Sequence, residues 1–138
     1  MPSQKILFVE DDLMLGELFM TVFEKTNHGV SWFVRARLSP DGSGLTLMSE
    51  DGAETVLRDG DYELALVDFR LKGSPIDGPE VTSYLVAAGI PVIGISGLPS
   101  LNKLMVEAGA RGAVAKDELF SLLLRGKVEI TRDFAGTG

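Results

Sequence analysis

Two hydrophobic rhythms alternate along the chain. Short, nearly continuous apolar runs, ILFVE (6–10), ELALVD (63–68), IPVIGIS (90–96) and GAVAK (112–116), mostly end in polar or charged residues. Runs of this length predict strands covered on both faces, as in a parallel sheet. Between them, apolar residues recur at helical spacing. Leu15, Leu18, Phe19, Val22 and Phe23 form one stripe, with Asp12 as its N-cap. Val81, Leu85 and Ala88 form a second; Leu101, Leu104, Met105 and Ala108 form a third, stopped by Gly109; Leu119, Leu122 and Leu123 form a short last one. Strands alternating with helices predict an α/β fold with right-handed crossovers.

One region breaks the rhythm. In GVSWFVRARL (29–38), Trp32, Val34, Ala36 and Leu38 alternate with Ser31, Phe33, Arg35 and Arg37. The turn-forming PDGSG (40–44) and then LTLMS (45–49) follow. This pattern predicts an extended β-hairpin, about 30–49, and delays the next helix to EDGAETVLRDG (50–60). The tail GKVEITRDFAGTG (126–138) is expected to fray.

Composition narrows the chemistry. A chain of 138 residues, 45% hydrophobic, suits one domain, with residues 1–126 as the folded unit and 127–138 as a tail. A net charge of −7 argues against direct nucleic-acid binding, which calls for a basic face. A metal ion or a basic protein surface suits that charge better. Without cysteine there is no disulfide or zinc-thiolate site, and His28, the sole histidine, excludes a His-pair metal site. No apolar run has the length of a signal peptide core or a membrane span, so no membrane contact is expected and the cytoplasm is the expected compartment.

The strand ends carry the candidate chemistry. The first predicted strand ends in Glu10 and Asp11, the next of the sheet in Asp68, the next in Ser96 before Gly97, and the last in Lys116. In open parallel sheets ligands bind beyond the carboxyl ends of the strands. Three carboxylates, a hydroxyl and an ammonium therefore converge on one rim. Carboxylate and carbonyl oxygens are what Mg²⁺ takes as ligands. An aspartate can attack a phosphoryl group and form an acyl phosphate, whose oxygens then need cations and donors.

On these residues the chain resembles the receiver domain of two-component response regulators. The matching stretches are KILFVEDD (5–12), ELALVDFRL (63–71), PVIGISG (91–97), EAGARGAVAK (107–116) and the Asp77-Gly78 pair that opens a helix. The resemblance implies a flavodoxin-like, doubly wound five-stranded parallel sheet of order 2-1-3-4-5, here with an extra hairpin after strand two. It implies that Glu10, Asp11, Asp68 and the backbone carbonyl of Arg70 hold Mg²⁺. Asp68 would be the phosphoacceptor, and Ser96 and Lys116 would contact the phosphoryl group. A histidine kinase or phosphotransfer protein would be the donor. A downstream protein would be the output partner, through a face around residues 100–125; because Ala113 stands where the family usually has an aromatic, a movement of the Gly97–Ser100 loop is expected to carry the shift instead. The chemistry would stop at self-phosphorylation and autodephosphorylation of Asp68. The hairpin could close a homodimer.

Three departures from the family pattern stand out. The usual aromatic three residues before the lysine is Ala113. The proline that usually follows the lysine is Asp117, so no cis peptide is expected there. The loop KGSPIDG (72–78) is slightly long, and the hairpin is additional. Loss of the aromatic and the proline leaves an alternative open: a receiver fold kept as a phosphorylation-independent interaction module.

Overall fold

The computed structural model describes residues 5–26, 28–41, 43–58 and 60–124. Its centre is a five-stranded parallel sheet of β1 (Lys5–Val9), β2 (Gly29–Phe33), β6 (Leu64–Asp68), β7 (Val92–Ser96) and β8 (Gly112–Ala115), ordered β2-β1-β6-β7-β8. Counted within that sheet the order is the expected 2-1-3-4-5. The helices are α1 (Leu13–Phe23), α2 (Gly78–Ala87), α3 (Pro99–Glu107) and α4 (Lys116–Leu124).

The continuous apolar runs are explained by burial on both faces, because side chains alternate across a strand. From β1, Ile6 and Phe8 face a cluster with Phe19, Val22 and Phe23 of α1 and Leu119 of α4. Leu7 and Val9 face the opposite cluster, with Val81 and Leu85 of α2 and Met105 of α3. On the first face Phe8 meets Phe19 and Phe23 edge-on, at centroid distances of 5.6 and 5.8 Å, a favoured aromatic geometry. Two stripes are narrower than their spacing predicts. Leu18 and Leu104 are exposed, and Met105 carries the core contact of α3. The side chains of Leu122 and Leu123, and the tail from 126, lie outside the described residues.

The inserted region contains the expected antiparallel hairpin, but it is shorter than 30–49 and gains a third strand. Residues 29–33 join the main sheet, parallel to β1 with Trp32 opposite Phe8. The chain bends at Val34, where Phe33 and Val34 are both buried and the alternation slips by one residue. Then β3 (Arg35–Leu38), β4 (Leu45–Met48) and β5 (Glu54–Val56) form a separate three-stranded antiparallel sheet. The helix predicted over 50–60 does not form among the described residues of that segment, which corrects the expectation. The segment has no helical stripe long enough to bury. Asp51 accepts hydrogen bonds from Ser49 Oγ and Ala53 N, closing a turn, and Gly52 adopts φ +89°, which a helix cannot use. Thr55 and Val56, both β-branched, then favour a strand.

The small sheet covers the main sheet where a helix was expected. Ala36, Leu45 and Leu47 are buried among Leu7, Val67 and Leu85. Polar anchors fix it in place. Ser74 Oγ accepts from the buried Ala36 N at 3.0 Å, and the Tyr84 hydroxyl donates to the Ser43 carbonyl at 3.0 Å. Arg35 lies against Gly73, its Nε 3.2 Å from the place a Cβ would take. Ser74 and Gly73 belong to the loop after β6, so the insertion is tied to the segment that follows Asp68.

Candidate functional site

The first three strand ends that matter sit side by side, since β1 pairs with β6 and β6 with β7. Glu10 is fully buried and Asp68 almost so. Asp11 is half-buried, and its Oδ2 accepts the backbone N–H of Lys72 at 3.0 Å. Ligand oxygens of Glu10, Asp11 and Asp68 lie within 4.8 Å of one another. Lys116 Nζ bridges two of them, 2.8 Å from Glu10 Oε1 and 3.1 Å from Asp68 Oδ1.

Local sequence explains how the carboxylates are presented. Asp12 caps α1, its Oδ1 accepting from Leu15 N at 3.0 Å, so the helix starts just after the acids. Asp77 sits at the N-cap of α2, where its backbone N–H donates to Glu80 Oε1 at 3.3 Å and its Oδ1 accepts from Leu71 N at 3.2 Å. Gly78 then passes so close that a Cβ would lie 2.1 Å from the Asp68 carbonyl oxygen. Only glycine lets α2 start against the end of β6. The sequence shows the Asp-Gly pair, but this steric demand appears only in three dimensions. No cis peptide occurs among the described residues, and α4 begins at Lys116 itself, with no loop after β8.

The electrostatics are those of crowded acids. Burial, then the hydrogen bond and charge of Glu10, push Asp68 up to about 8, against the opposing pull of Lys116. Burial works against the charge on Lys116, yet the Glu10 and Asp68 carboxylates outweigh it and hold the ammonium above its usual range. Such a group is short of positive charge. Its oxygen-only donor set fits a hard divalent cation. The described residues therefore include a group that could hold Mg²⁺ through Glu10, Asp11 and Asp68. Arg70 is exposed and lines the same cleft, of about 240 Å³, with Ser96 and Gly97.

Ser96 is buried beside this cleft, but its hydroxyl closes a turn. It donates to the Leu98 carbonyl at 2.7 Å and accepts from Leu98 N at 2.9 Å. Pro99 and Ser100 already belong to α3, so the expected Gly97–Ser100 loop shrinks to Gly97 and Leu98. Ala113 pairs with Gly94, and a Cβ on Gly94 would lie 2.7 Å from Met105 Cβ. Small residues there let α3 sit close on the sheet. A second groove, about 400 Å³, lies on the other side of Asp11 and Asp12, walled by Arg35, Met48 and Glu50 of the insertion. Two contacts escaped the sequence reading: Lys72 N–H on Asp11, and Trp32, whose indole nitrogen donates to the Glu10 carbonyl at 2.9 Å. Backbone partners leave no residue-type signal.

No protein-family model matches the chain, and no curated protein matches it in sequence. Solved structures do match in fold. The receiver domain of NtrX from Brucella abortus is 19% identical, with a TM-score of 0.62 over 91% of this chain and 99% of that one. A Chloroflexus aurantiacus protein described as a response regulator is 17% identical, with a TM-score of 0.64 over 91% and 95%. A longer NtrX structure from Brucella abortus, in complex with ADP, is 20% identical, with a TM-score of 0.61 over 90% of this chain. This chain spans 27% of that one's length. The chain thus has the fold of response regulator receiver domains.

Proposed function

We propose that the chain is a phosphoacceptor receiver of two-component signalling, in which Asp68 takes a phosphoryl group in a Mg²⁺-dependent step. One observation carries the reading: the buried Asp68 carboxylate shares an oxygen cluster with Glu10 and Asp11 while Lys116 bridges it to Glu10. The donor is a phosphohistidine on a histidine kinase or phosphotransfer protein. An Asp68 oxygen attacks phosphorus, the P–N bond breaks, and the imidazole nitrogen keeps the electron pair. Bound Mg²⁺ supplies the charge that keeps Asp68 ionised and neutralises the incoming phosphoryl oxygens. Lys116 moves from Glu10 toward a phosphoryl oxygen, and Ser96 exchanges its Leu98 turn bonds for the same group. Water later attacks phosphorus, the P–O bond breaks, and the Asp68 carboxylate returns. No other substrate is turned over.

The added charge of about −1.5 to −2 alters a surface read by a downstream protein in the cytoplasm. Direct contact with nucleic acid or membrane is not part of the reading, and among the described residues no helix is long and apolar enough to cross a membrane. Ala113 and the closed Ser96 turn favour a second reading, a phosphorylation-independent interaction module, with self-association as one form.

Incubation with a small phosphoramidate, with and without Mg²⁺, separates the two by intact mass. One added phosphoryl group that needs Mg²⁺ and is absent in Asp68→Asn supports the first reading. No labelling of folded protein sinks it in favour of the second.

A further inference from the structure

The turn from Glu10 to Asp12 has to hold two carboxylates at one cation, yet it lies outside both β1 and α1. Its backbone is held from the side by β2. Glu10 N donates to the Phe33 carbonyl at 3.0 Å, and Trp32 Nε1 donates to the Glu10 carbonyl at 2.9 Å. Both groups of the Glu10 backbone are thus bound by consecutive residues of one strand. The indole ring also fills the space over Gly16, where a Cβ would lie 2.0 Å from Trp32 Cζ2. Gly16 N in turn donates to the Asp12 carbonyl at 2.8 Å, closing the first turn of α1. One side chain therefore ties together the end of β1, the acidic turn and the start of the capped helix.

We propose that Trp32 is a positioning residue of the cation site. Its N–H holds the Glu10 carbonyl, and its ring fixes the first turn of α1, so that the Glu10 and Asp11 carboxylates face one point. It touches neither cation nor phosphoryl group and acts through Glu10. The inference rests on the proposed Mg²⁺ site. Outer partners of ligands typically change metal affinity about 10- to 100-fold when removed. Phenylalanine loses the N–H donor and also the outer indole atoms Cζ2 and Cη2 that lie over Gly16, so Trp32→Phe removes both contacts by which Trp32 acts.

Isothermal titration of the whole chain with MgCl₂ tests it, beside the indole N–H resonance of this single tryptophan in ¹⁵N-labelled protein. The expected result is Mg²⁺ binding weakened about tenfold in Trp32→Phe. In wild type, the indole resonance moves with the same midpoint as the calorimetric isotherm. Equal Mg²⁺ affinity in a folded Trp32→Phe overturns the role of Trp32 and leaves the site itself standing. Absence of saturable Mg²⁺ binding to wild type overturns both. Should Trp32→Phe fail to fold, the wild-type resonance decides: movement at the binding midpoint supports the role, and a fixed resonance through saturation overturns it.

Discussion

At the acidic edge, a partly buried Lys116 meets the buried Glu10 and Asp68; on the inserted sheet, Arg37 and Glu54 pair across the strands, each more than two-fifths exposed. The same residue types do opposite work in the two places. A buried charge loses hydration and must recover it from partners, so each member there is costly to strand. The exposed pair has water as an alternative partner and contributes little. The acidic edge holds an excess of negative charge that serves no packing purpose, whereas the insertion is held by apolar burial and neutral hydrogen bonds. Stability and chemistry are thus assigned to different parts of one small domain.

Removing partners sharpens this contrast. Lys116→Ala leaves two buried carboxylates without their cation and should cost about 3 kcal/mol in urea unfolding at pH 8 with chelator present, partly restored by Mg²⁺. An equal midpoint for wild type and variant would mean that the edge is wetter than its burial implies. Asp68→Asn should act in the other direction. Asp68 keeps its proton up to about 8 when folded but releases it near 4 when unfolded. Between those values the unfolded chain binds fewer protons, so the cation-free fold loses stability as pH rises. Asn removes that loss. The variant should be more stable by about 2 kcal/mol at pH 8, Lys116 then having one carboxylate instead of two, with the gain vanishing near pH 4. A gain that is flat with pH would contradict it.

The insertion should respond to smaller, neutral changes. Ser74→Ala leaves the buried Ala36 N–H without its acceptor and should cost about 1–2 kcal/mol. Hydrogen exchange should quicken in residues 35–48 before the main sheet, and a uniform change across both sheets would argue against separate anchoring. Arg37→Ala should shift stability by no more than about 0.5 kcal/mol, and the shift should fade with salt. A larger, salt-resistant loss would place that pair with the buried group instead.

The parallel sheet was legible in the residues because its strands are buried on both faces, and burial writes continuous apolar runs such as LALVD. The positions of Glu10, Asp11, Asp68 and Lys116 were legible because strand ends in this architecture share one rim. The helix expected at 50–60 gave way to local signals, the Asp51 turn, Gly52 at φ +89° and the β-branched Thr55 and Val56, whereas the anchors from Ser74 and Tyr84, which fix Ala36 and Ser43 beside it, come from distant segments and left no trace in the sequence. The turn that occupies Ser96 was hidden too, since a hydroxyl bonds backbone on either side of a strand end equally well.

Periodicity and residue type by themselves determined the alternating β/α order, the two-sided core and the gathering of acids at strand ends, because each follows from spacing along the chain. Tertiary structure alone decided that a third strand, β5, joins the small sheet where a helix was expected, that Gly78 must lack a side chain beside Asp68, and that the Trp32 indole holds the Glu10 carbonyl. Those depend on close approach between backbone groups far apart in sequence, and backbone groups are the same at every residue.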